Sequence, residues 1–195
     1  MKIRYARIME NDVVDGEGIC VSFWTQGCPH HCPGCHNKET WDFNGGIEEE
    51  SSVVIDNIIQ YLSKNGIKRN LSILGGEPLC KENRDFIYEL VKEVRAKYND
   101  ILIFLWSGYT YYELINENSI SINYILDNIN FLIEGRYEEE LRDITLKLRG
   151  SSNQKIYTNI KYNARLENYN EEEVEYEYKI NINPRKITFA DVYEK

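Results

Sequence analysis

The sequence predicts an α/β fold in which a parallel sheet forms an incomplete, open β/α barrel. Short apolar strands alternate with amphipathic helices over residues 19–134, and most of these strands end in glycine-containing turns. Such alternation is typical of parallel sheets with right-handed crossover connections. A complete eight-stranded barrel typically needs about 250 residues. A chain of 195 residues is therefore expected to form only part of one.

Four apolar segments are the predicted strands. They occupy residues 19–24, 71–74, 101–106 and 131–134. The first leads directly into a cysteine-rich loop, and the others stop at glycine-containing turns after Leu74, Trp106 and Glu134. Functional sites in parallel β/α folds gather at the carboxyl ends of the strands. The loop and the three turns are therefore expected to line one site.

Three helical segments are predicted between these strands. The first begins at Ser51 or Ser52, places its apolar residues on one face and ends before Gly66. The second has its apolar positions between residues 87 and 94, and the third covers residues 111–126. These helices provide the crossovers that a parallel sheet requires.

The chain is predicted to contain one domain over residues 1–158 and a C-terminal extension over residues 159–195. Between Val174 and Ile182, apolar residues alternate with polar ones, which is the period of a half-exposed strand. Together with residues 186–189, this segment is expected to form a β-hairpin. No functional role is assigned to the extension.

Composition and charge narrow the class of protein. The formal net charge of −9 argues against nucleic acid as a partner, because a phosphate backbone attracts basic surfaces. The N-terminus lacks the apolar run of a signal peptide, and no segment has the roughly 18 apolar residues of a membrane span. We therefore expect a cytoplasmic protein with no membrane partner, whose thiols stay reduced.

Three of the five cysteines, Cys28, Cys32 and Cys35, lie within eight residues. An odd number of cysteines at such short spacing is typical of a metal site and not of a disulfide framework. Three thiolates can hold one face of a [4Fe-4S] cluster and leave one iron without a protein ligand. That iron can bind the amino and carboxylate groups of a substrate.

Other interpretations of the cysteine loop are possible. Cys32, Cys35 and His36 match the C-x-x-C-H pattern of covalent haem attachment, which leaves Cys28 unexplained. A structural zinc site of three cysteines and one histidine is chemically reasonable. A redox-active C-x-x-C dithiol gives no function to the third thiol.

Forty residues after Cys35, a predicted strand stops at a four-residue turn made of Gly75, Gly76, Glu77 and Pro78. Two glycines allow the backbone to approach a ligand closely, and their carbonyl groups can accept hydrogen bonds from an α-amino group. A larger residue at Gly76 is expected to damage this ligand site and to spare the cysteine loop. The alternative is an ordinary tight turn.

The cysteine loop and the glycine turn together resemble the radical S-adenosylmethionine superfamily. Further motifs are similar to one family in it, the activating proteins of anaerobic ribonucleoside-triphosphate reductase. They lie at residues 15–18, 27–28, 32–37, 40–41, 75–79, 106–109, 133–137 and 149–154. The resemblance covers residues 5–158 and implies the partial barrel of radical S-adenosylmethionine enzymes. Many enzymes of the superfamily have an aromatic residue just before the last cluster cysteine. In this sequence that position is Gly34, which weakens any stacking role there but suits the family.

The resemblance also implies a role for each residue of the site. Cys28, Cys32 and Cys35 would bind the [4Fe-4S] cluster, and the cofactor S-adenosyl-L-methionine would bind at the open iron. The backbone of Gly34, Cys35 and His36 would lie beside the adenosyl group. Gly75 and Gly76 would hold the methionine amino group, with Glu77 and Pro78 fixing the turn. Ser107 and Tyr109 are candidate neighbours of the site, whereas Cys20 and Cys80 are expected to be buried thiols.

The implied reaction is the generation of a glycyl radical on the large subunit of the reductase, with a one-electron donor such as a flavodoxin or ferredoxin. Alternative enzymes are a pyruvate formate-lyase activating enzyme and a 7-carboxy-7-deazaguanine synthase. A non-catalytic zinc or electron-carrier module is the alternative outside the enzymes. The motif at residues 149–154 favours the reductase activator.

Overall fold

The computed structural model of the chain describes residues 1–158 and the backbone of residues 167–168. Over this part, eight strands form one sheet in the order β3-β1-β2-β4-β5-β6-β7-β8. The strands are β1 (Lys2–Asp12), β2 (Cys20–Thr25), β3 (Ile47–Glu50), β4 (Asn70–Gly75), β5 (Ile103–Ser107), β6 (Phe131–Glu134), β7 (Lys155–Thr158) and β8 (Glu167–Asn168).

The centre of the sheet is parallel. Strands β2, β4, β5 and β6 pair in parallel, in this order. Phe23 lies opposite Ile73, Ile73 lies opposite Leu105, and Leu105 lies opposite Leu132. These are the four predicted strands, so the α/β fold class is confirmed. Strands β1, β3, β7 and β8 add antiparallel pairs at the two sides, which makes the sheet mixed.

Four helices cover one face of the sheet: α1 (Ser51–Leu62), α2 (Arg84–Lys97), α3 (Tyr111–Asn116) and α4 (Ile120–Asn128). The predicted helix over residues 111–126 is two helices. The capping residue Ser119 accepts a hydrogen bond from the N–H of Ile122, so a new helix starts there. Asn118, immediately before it, has a positive φ of 49°, which ends the first helix.

The main core lies between the helices and one face of the sheet. It includes Phe23 and Ile73 from the strands and Ile58 and Leu90 from α1 and α2, all fully buried. The opposite face carries a smaller aromatic cluster around Phe104. Because a strand alternates its side chains, β5 and β6 contribute to both clusters.

Two loops lie over this second face. The residues between β1 and β2 approach it at Gly16, where an added Cβ would contact Phe104 at 3.2 Å. The loop between β6 and β7 is held by a hydrogen bond of 2.8 Å from Nε1 of Trp106 to the carbonyl of Leu148. An ion pair of 2.7 Å between Lys147 and Glu17 joins the two loops.

The predicted hairpin between residues 174 and 189 lies outside the described residues, as does most of the predicted extension. In the described part of the chain, none of the helices has both the length and the apolar character needed to cross a membrane.

Candidate functional site

The cysteine loop starts at the carboxyl end of β2 and is closed at its base by backbone hydrogen bonds. The N–H of Gly27 donates to the carbonyl of Thr40 at 2.8 Å, and the N–H of Cys28 donates to the carbonyl of Trp41 at 3.1 Å. A short 3₁₀ turn, Lys38–Thr40, precedes this closure. The loop that carries the three predicted ligands is therefore fixed to the end of a buried strand.

The sulfur of Cys35 accepts a hydrogen bond of 3.4 Å from the backbone N–H of Asn37. Such bonds stabilise thiolate ligands, and they are one of the means by which proteins tune iron–sulfur clusters. Backbone groups of His30 and His31 oppose the rise that burial causes in the pKa of Cys28, and the backbone of Tyr137 opposes it for Cys32.

The thiols differ in burial. Cys28 is buried, and Cys32 and Cys35 are partly exposed. Burial raises the pKa of the Cys28 thiol to about 11 and also raises the pKa of Cys32. Binding to iron removes the thiol proton, so ligation and deprotonation are coupled.

The donor set fits an iron–sulfur cluster in its chemistry. Three thiols on one closed loop are suitable ligands for separate irons of a cubane. Among the residues that the structure describes, no three His, Cys, Asp or Glu side chains are placed to hold a single metal ion. The ligands of a cubane cluster bind different irons, so its thiolates do not have to meet at one ion.

Glu77 is fully buried and lies where the strand ends meet. Its Oε1 accepts hydrogen bonds from the N–H of Leu79 at 2.9 Å and from the hydroxyl of Ser107 at 2.8 Å. Its Oε2 accepts one from the N–H of Gly108 at 2.6 Å and lies 2.9 Å from Nε2 of His30. These partners belong to the β4 turn, the end of β5 and the cysteine loop. One carboxylate therefore joins three of the predicted strand-end segments.

The glycines of the β4 turn are required by the packing of the backbone. Gly75 has a φ of 110°, and an added Cβ would overlap the backbone of Thr25. A Cβ at Gly76 would overlap the carbonyl oxygen of Gly27, at the start of the cysteine loop. This geometry argues against the expectation that a larger residue at Gly76 leaves the cysteine loop undisturbed. Pro78 follows in the same turn and is buried.

The backbone predicted to lie beside an adenosyl group packs against the loop after β6. Gly34 has a φ of 76°, and an added Cβ would overlap the carboxylate of Glu139. The ring of His36 lies 5.6 Å from the ring of Tyr137, whose hydroxyl donates to Glu139 at 2.7 Å. Glycine at position 34 thus allows the loop after β6 to approach the cysteine loop.

Ser107 and Tyr109 lie next to the site, as predicted. Ser107 binds Glu77 directly, and the ring of Tyr109 lies 4.5 Å from the ring of His30, edge to face. Cys20 and Cys80 are buried, which also agrees with the prediction.

His30 and Arg136 belong to the site although no role was predicted for their side chains. His30 contacts Glu77 through one ring nitrogen and Arg136 through the other. The position of His30 between two predicted ligands was a usable signal in the sequence. The contact with Arg136 joins residues 106 positions apart, and a local motif contains no information about such a contact.

A second polar cluster holds the loop between β1 and β2. Asp12 is buried and accepts hydrogen bonds from Ser22 at 2.5 Å and from the N–H of Val14 at 2.8 Å. Burial, followed by the charge of Asp12, raises the pKa of Asp15 to about 7, and the charge of Arg7 opposes this shift. Two neighbouring carboxyl groups therefore titrate differently.

Known proteins similar to this chain have a consistent description. A family model described as a 4Fe-4S single cluster domain matches residues 14–157. The anaerobic ribonucleoside-triphosphate reductase-activating protein of Escherichia coli (strain K12) is 36% identical over 156 residues, which are 80% of this chain and 98% of the relative. Proteins of the same name from Vibrio cholerae and Enterobacteria phage T4 are each 35% identical over 80% of this chain, and 97% and 95% of their own lengths are covered. This chain therefore belongs to the family of anaerobic ribonucleoside-triphosphate reductase-activating proteins.

Proposed function

We propose that this protein is an activase that cleaves S-adenosylmethionine reductively with a [4Fe-4S] cluster and generates a glycyl radical on anaerobic ribonucleoside-triphosphate reductase. The main observation in support is the position of Glu77, which joins the three-cysteine loop to the glycine turn and to the end of β5. The family gives the partner, because the relatives carry the name of the reductase that they activate.

Cys28, Cys32 and Cys35 are the proposed cluster ligands. When bound, a cluster of this kind supplies one electron at low potential and an iron that has no protein ligand. The protein contributes the backbone N–H of Asn37 to the sulfur of Cys35 and closes the loop at its base. These contacts keep the ligands in place while the charge of the site changes.

The methionine end of S-adenosylmethionine is proposed to bind at the β4 turn. Carbonyl groups of Gly75 and Gly76 accept hydrogen bonds from the amino group of the ligand. Glu77 and Pro78 fix the turn, and Glu77 does so through its four hydrogen-bonding partners. The β4 turn and the cysteine loop are in contact at Gly27. The carbonyl of Gly27 accepts a hydrogen bond of 2.9 Å from the N–H of Glu77.

The adenosyl end is proposed to lie along the backbone of Gly34, Cys35 and His36. These residues follow one another on the exposed side of the cysteine loop and face the loop after β6. The role of this backbone is to orient the ligand relative to the partner's glycine.

The proposed reaction balances without an acid or a base. One electron, one S-adenosylmethionine and one glycine residue of the partner give methionine, 5′-deoxyadenosine and a glycyl radical. The hydrogen atom of the glycine Cα ends on the new methyl group of 5′-deoxyadenosine. Because no side chain has to transfer a proton, the protein's contribution is to position the reactants and to exclude water.

The proposed partners are the large subunit of the reductase and a one-electron donor such as a flavodoxin or ferredoxin. Two other small radical enzymes, a pyruvate formate-lyase activating enzyme and a 7-carboxy-7-deazaguanine synthase, share the general chemistry. The relatives favour the reductase over both, since those from Escherichia coli, Vibrio cholerae and Enterobacteria phage T4 carry its name.

The test is an anaerobic assay with the purified protein, its reconstituted cluster, S-adenosylmethionine, a reductant and the reductase. Electron paramagnetic resonance should show a doublet from a glycyl radical, and 5′-deoxyadenosine should form in parallel. The doublet should collapse to a singlet when the glycine of the reductase is deuterated at Cα. A protein without its cluster is the matched control.

The assay separates the possible failures. A doublet on pyruvate formate-lyase and none on the reductase would disprove the substrate and retain the reaction class. Purified protein that contains zinc, and no iron or sulfide after anaerobic reconstitution, would disprove the reaction class itself.

A further inference from the structure

Arg136 lies at the edge of the site and is bonded to His30. Its Nε donates to Nδ1 of His30 at 3.2 Å, and its guanidinium lies 6.0 Å from the centre of the Tyr109 ring. His30 also contacts Tyr109, so the three side chains pack together. Arg136 thereby reaches the cysteine loop from the end of β6.

The hydrogen bonds of His30 fix the position of its ring proton. Arg136 can only donate, so Nδ1 of His30 is an acceptor and carries no proton. Nε2 faces the carboxylate of Glu77 at 2.9 Å and is the donor. The side chains of His30 and Glu77 are only 6% and 1% exposed, so water does not compete for these bonds. A chain of hydrogen bonds runs from Arg136 through His30 to Glu77.

The charge of Arg136 lies beside the cysteine loop. Its hydrogen-bond partner at 3.2 Å, His30, stands between the proposed ligands Cys28 and Cys32 in the sequence. A positive charge beside a cluster favours the more negative, reduced form of that cluster.

Glu113 is the opposing charge. Its Oε1 lies 3.3 Å from Nη2 and 3.4 Å from Nη1 of Arg136. Its other oxygen caps α3 by accepting hydrogen bonds from the N–H and hydroxyl of Thr110. Glu113 is therefore held by the helix cap in a place where it partly neutralises Arg136.

We propose that Arg136 is a positioning residue that sets the reduction potential of the cluster, and that Glu113 adjusts the strength of its charge. Arg136 acts in two ways: it orients His30 against Glu77, and it places a positive charge beside the cysteine loop. The inference rests on the proposed cluster site and adds to it the residues that tune its potential.

The test is a potentiometric measurement of the cluster by electron paramagnetic resonance, without S-adenosylmethionine or reductase. Arg136→Gln should shift the midpoint potential to a more negative value, because the reduced cluster loses a stabilising charge. Glu113→Gln should shift it in the opposite direction, because Arg136 is then no longer neutralised. Glutamine also satisfies a capping box, so α3 keeps its N-terminal cap in this variant.

Two further variants control the measurement. Arg136→Lys keeps the charge and should leave the midpoint near that of the unmodified protein. Arg142→Gln removes an equal charge from an exposed residue of the same loop and should leave the midpoint unchanged. If Arg136→Gln fails to assemble a cluster, Glu113→Gln still tests the direction of the effect.

Some outcomes would overturn the inference and leave the proposed function intact. These are unchanged midpoints in both glutamine variants, shifts of the same sign in both, or an equal shift in Arg142→Gln. Absence of a cluster from the unmodified protein would overturn the proposed function instead.

Discussion

Nε2 of His30 lies 2.9 Å from Oε2 of Glu77, and this contact ties the cysteine loop to the turn after β4. The same carboxylate accepts hydrogen bonds from Ser107 and Gly108 at the end of β5. A buried carboxylate is stable only when its oxygens have hydrogen-bond partners. Here the partners belong to the segments that follow the strand ends. The hydrogen bonds that stabilise the buried carboxylate of Glu77 therefore also hold the site together.

Glu77→Gln should therefore weaken the whole site. Both oxygens of Glu77 accept hydrogen bonds from backbone N–H groups. In either orientation of the glutamine side chain, its NH₂ group would therefore face an N–H donor and lose one of these hydrogen bonds. A buried polar group without a partner costs about 1–3 kcal/mol, and more when the original group was charged. Thermal unfolding and iron content after reconstitution should both fall. Glu82→Gln changes an exposed residue of the neighbouring loop and should alter neither.

Cys28→Ala, Cys32→Ala and Cys35→Ala should each prevent assembly of an intact [4Fe-4S] cluster, because the loop supplies only three thiolates. Cys20→Ala and Cys80→Ala should retain it, since both are buried thiols that are not part of the cysteine loop. Iron and sulfide content and the visible absorbance of the reconstituted proteins measure the difference. A full cluster in Cys32→Ala would contradict the ligand assignment.

Gly76→Ala should lower cluster content as well as S-adenosylmethionine binding. Its Cβ would overlap the carbonyl of Gly27, which is the residue before the first ligand. The backbone at the base of the loop must then move. Iron content and ligand binding to the reconstituted protein are the measurements.

Gly66→Ala is the control for this variant. Gly66 has a φ of 72°, and an added Cβ there has no neighbour within 4 Å. Alanine in this conformation costs about 1–2 kcal/mol of strain, so the protein should become less stable with its cluster content unchanged. Normal cluster content in Gly76→Ala would show that the backbone of the cysteine loop tolerates the displacement.

The parallel strands could be predicted because each is a short, continuously apolar segment that ends in a glycine turn or in the cysteine loop. Strand β1 could not be predicted in this way. Of its 11 residues only Tyr5 and Asp12 are buried, and Ile3 and Ile8 are partly buried against the main core, so no continuous apolar segment marks the strand in the sequence. Its place is fixed by pairing with β2 on one side and β3 on the other. Such pairing is a tertiary effect and leaves little trace in local composition.

The site, like the fold, could be predicted only where local sequence motifs mark it. The cysteines and the glycine turn are local motifs, and the structure brings them into contact through Glu77. The His30–Arg136 contact and the overlap of a Gly76 Cβ with Gly27 depend on how distant segments approach one another. For that reason the sequence indicated candidate residues for the site, whereas their mutual constraints required the structure.

The stability of the folded protein should depend on pH through Asp12 and Asp15, two carboxyl groups next to the second face of the sheet. Burial and the charge of Asp12 raise the pKa of Asp15 from its ordinary value of 3.8 to about 7. An acid with a raised pKa binds its proton more tightly in the folded protein than in the unfolded chain. Its contribution to stability is therefore fully present below its unfolded pKa and is lost as pH rises through about 7.

Asp15→Asn removes this dependence, because an amide resembles the protonated acid and can still donate to Asp12. The variant should therefore gain stability relative to the unmodified protein as pH rises from about 4 to about 8, and melting temperatures measure the difference. Asp143→Asn is the control: hydrogen bonds from Thr145 lower the pKa of that carboxyl, so its removal should not stabilise at high pH. If the difference between Asp15→Asn and the unmodified protein stays constant across this range, the pKa of Asp15 is not raised in the folded state.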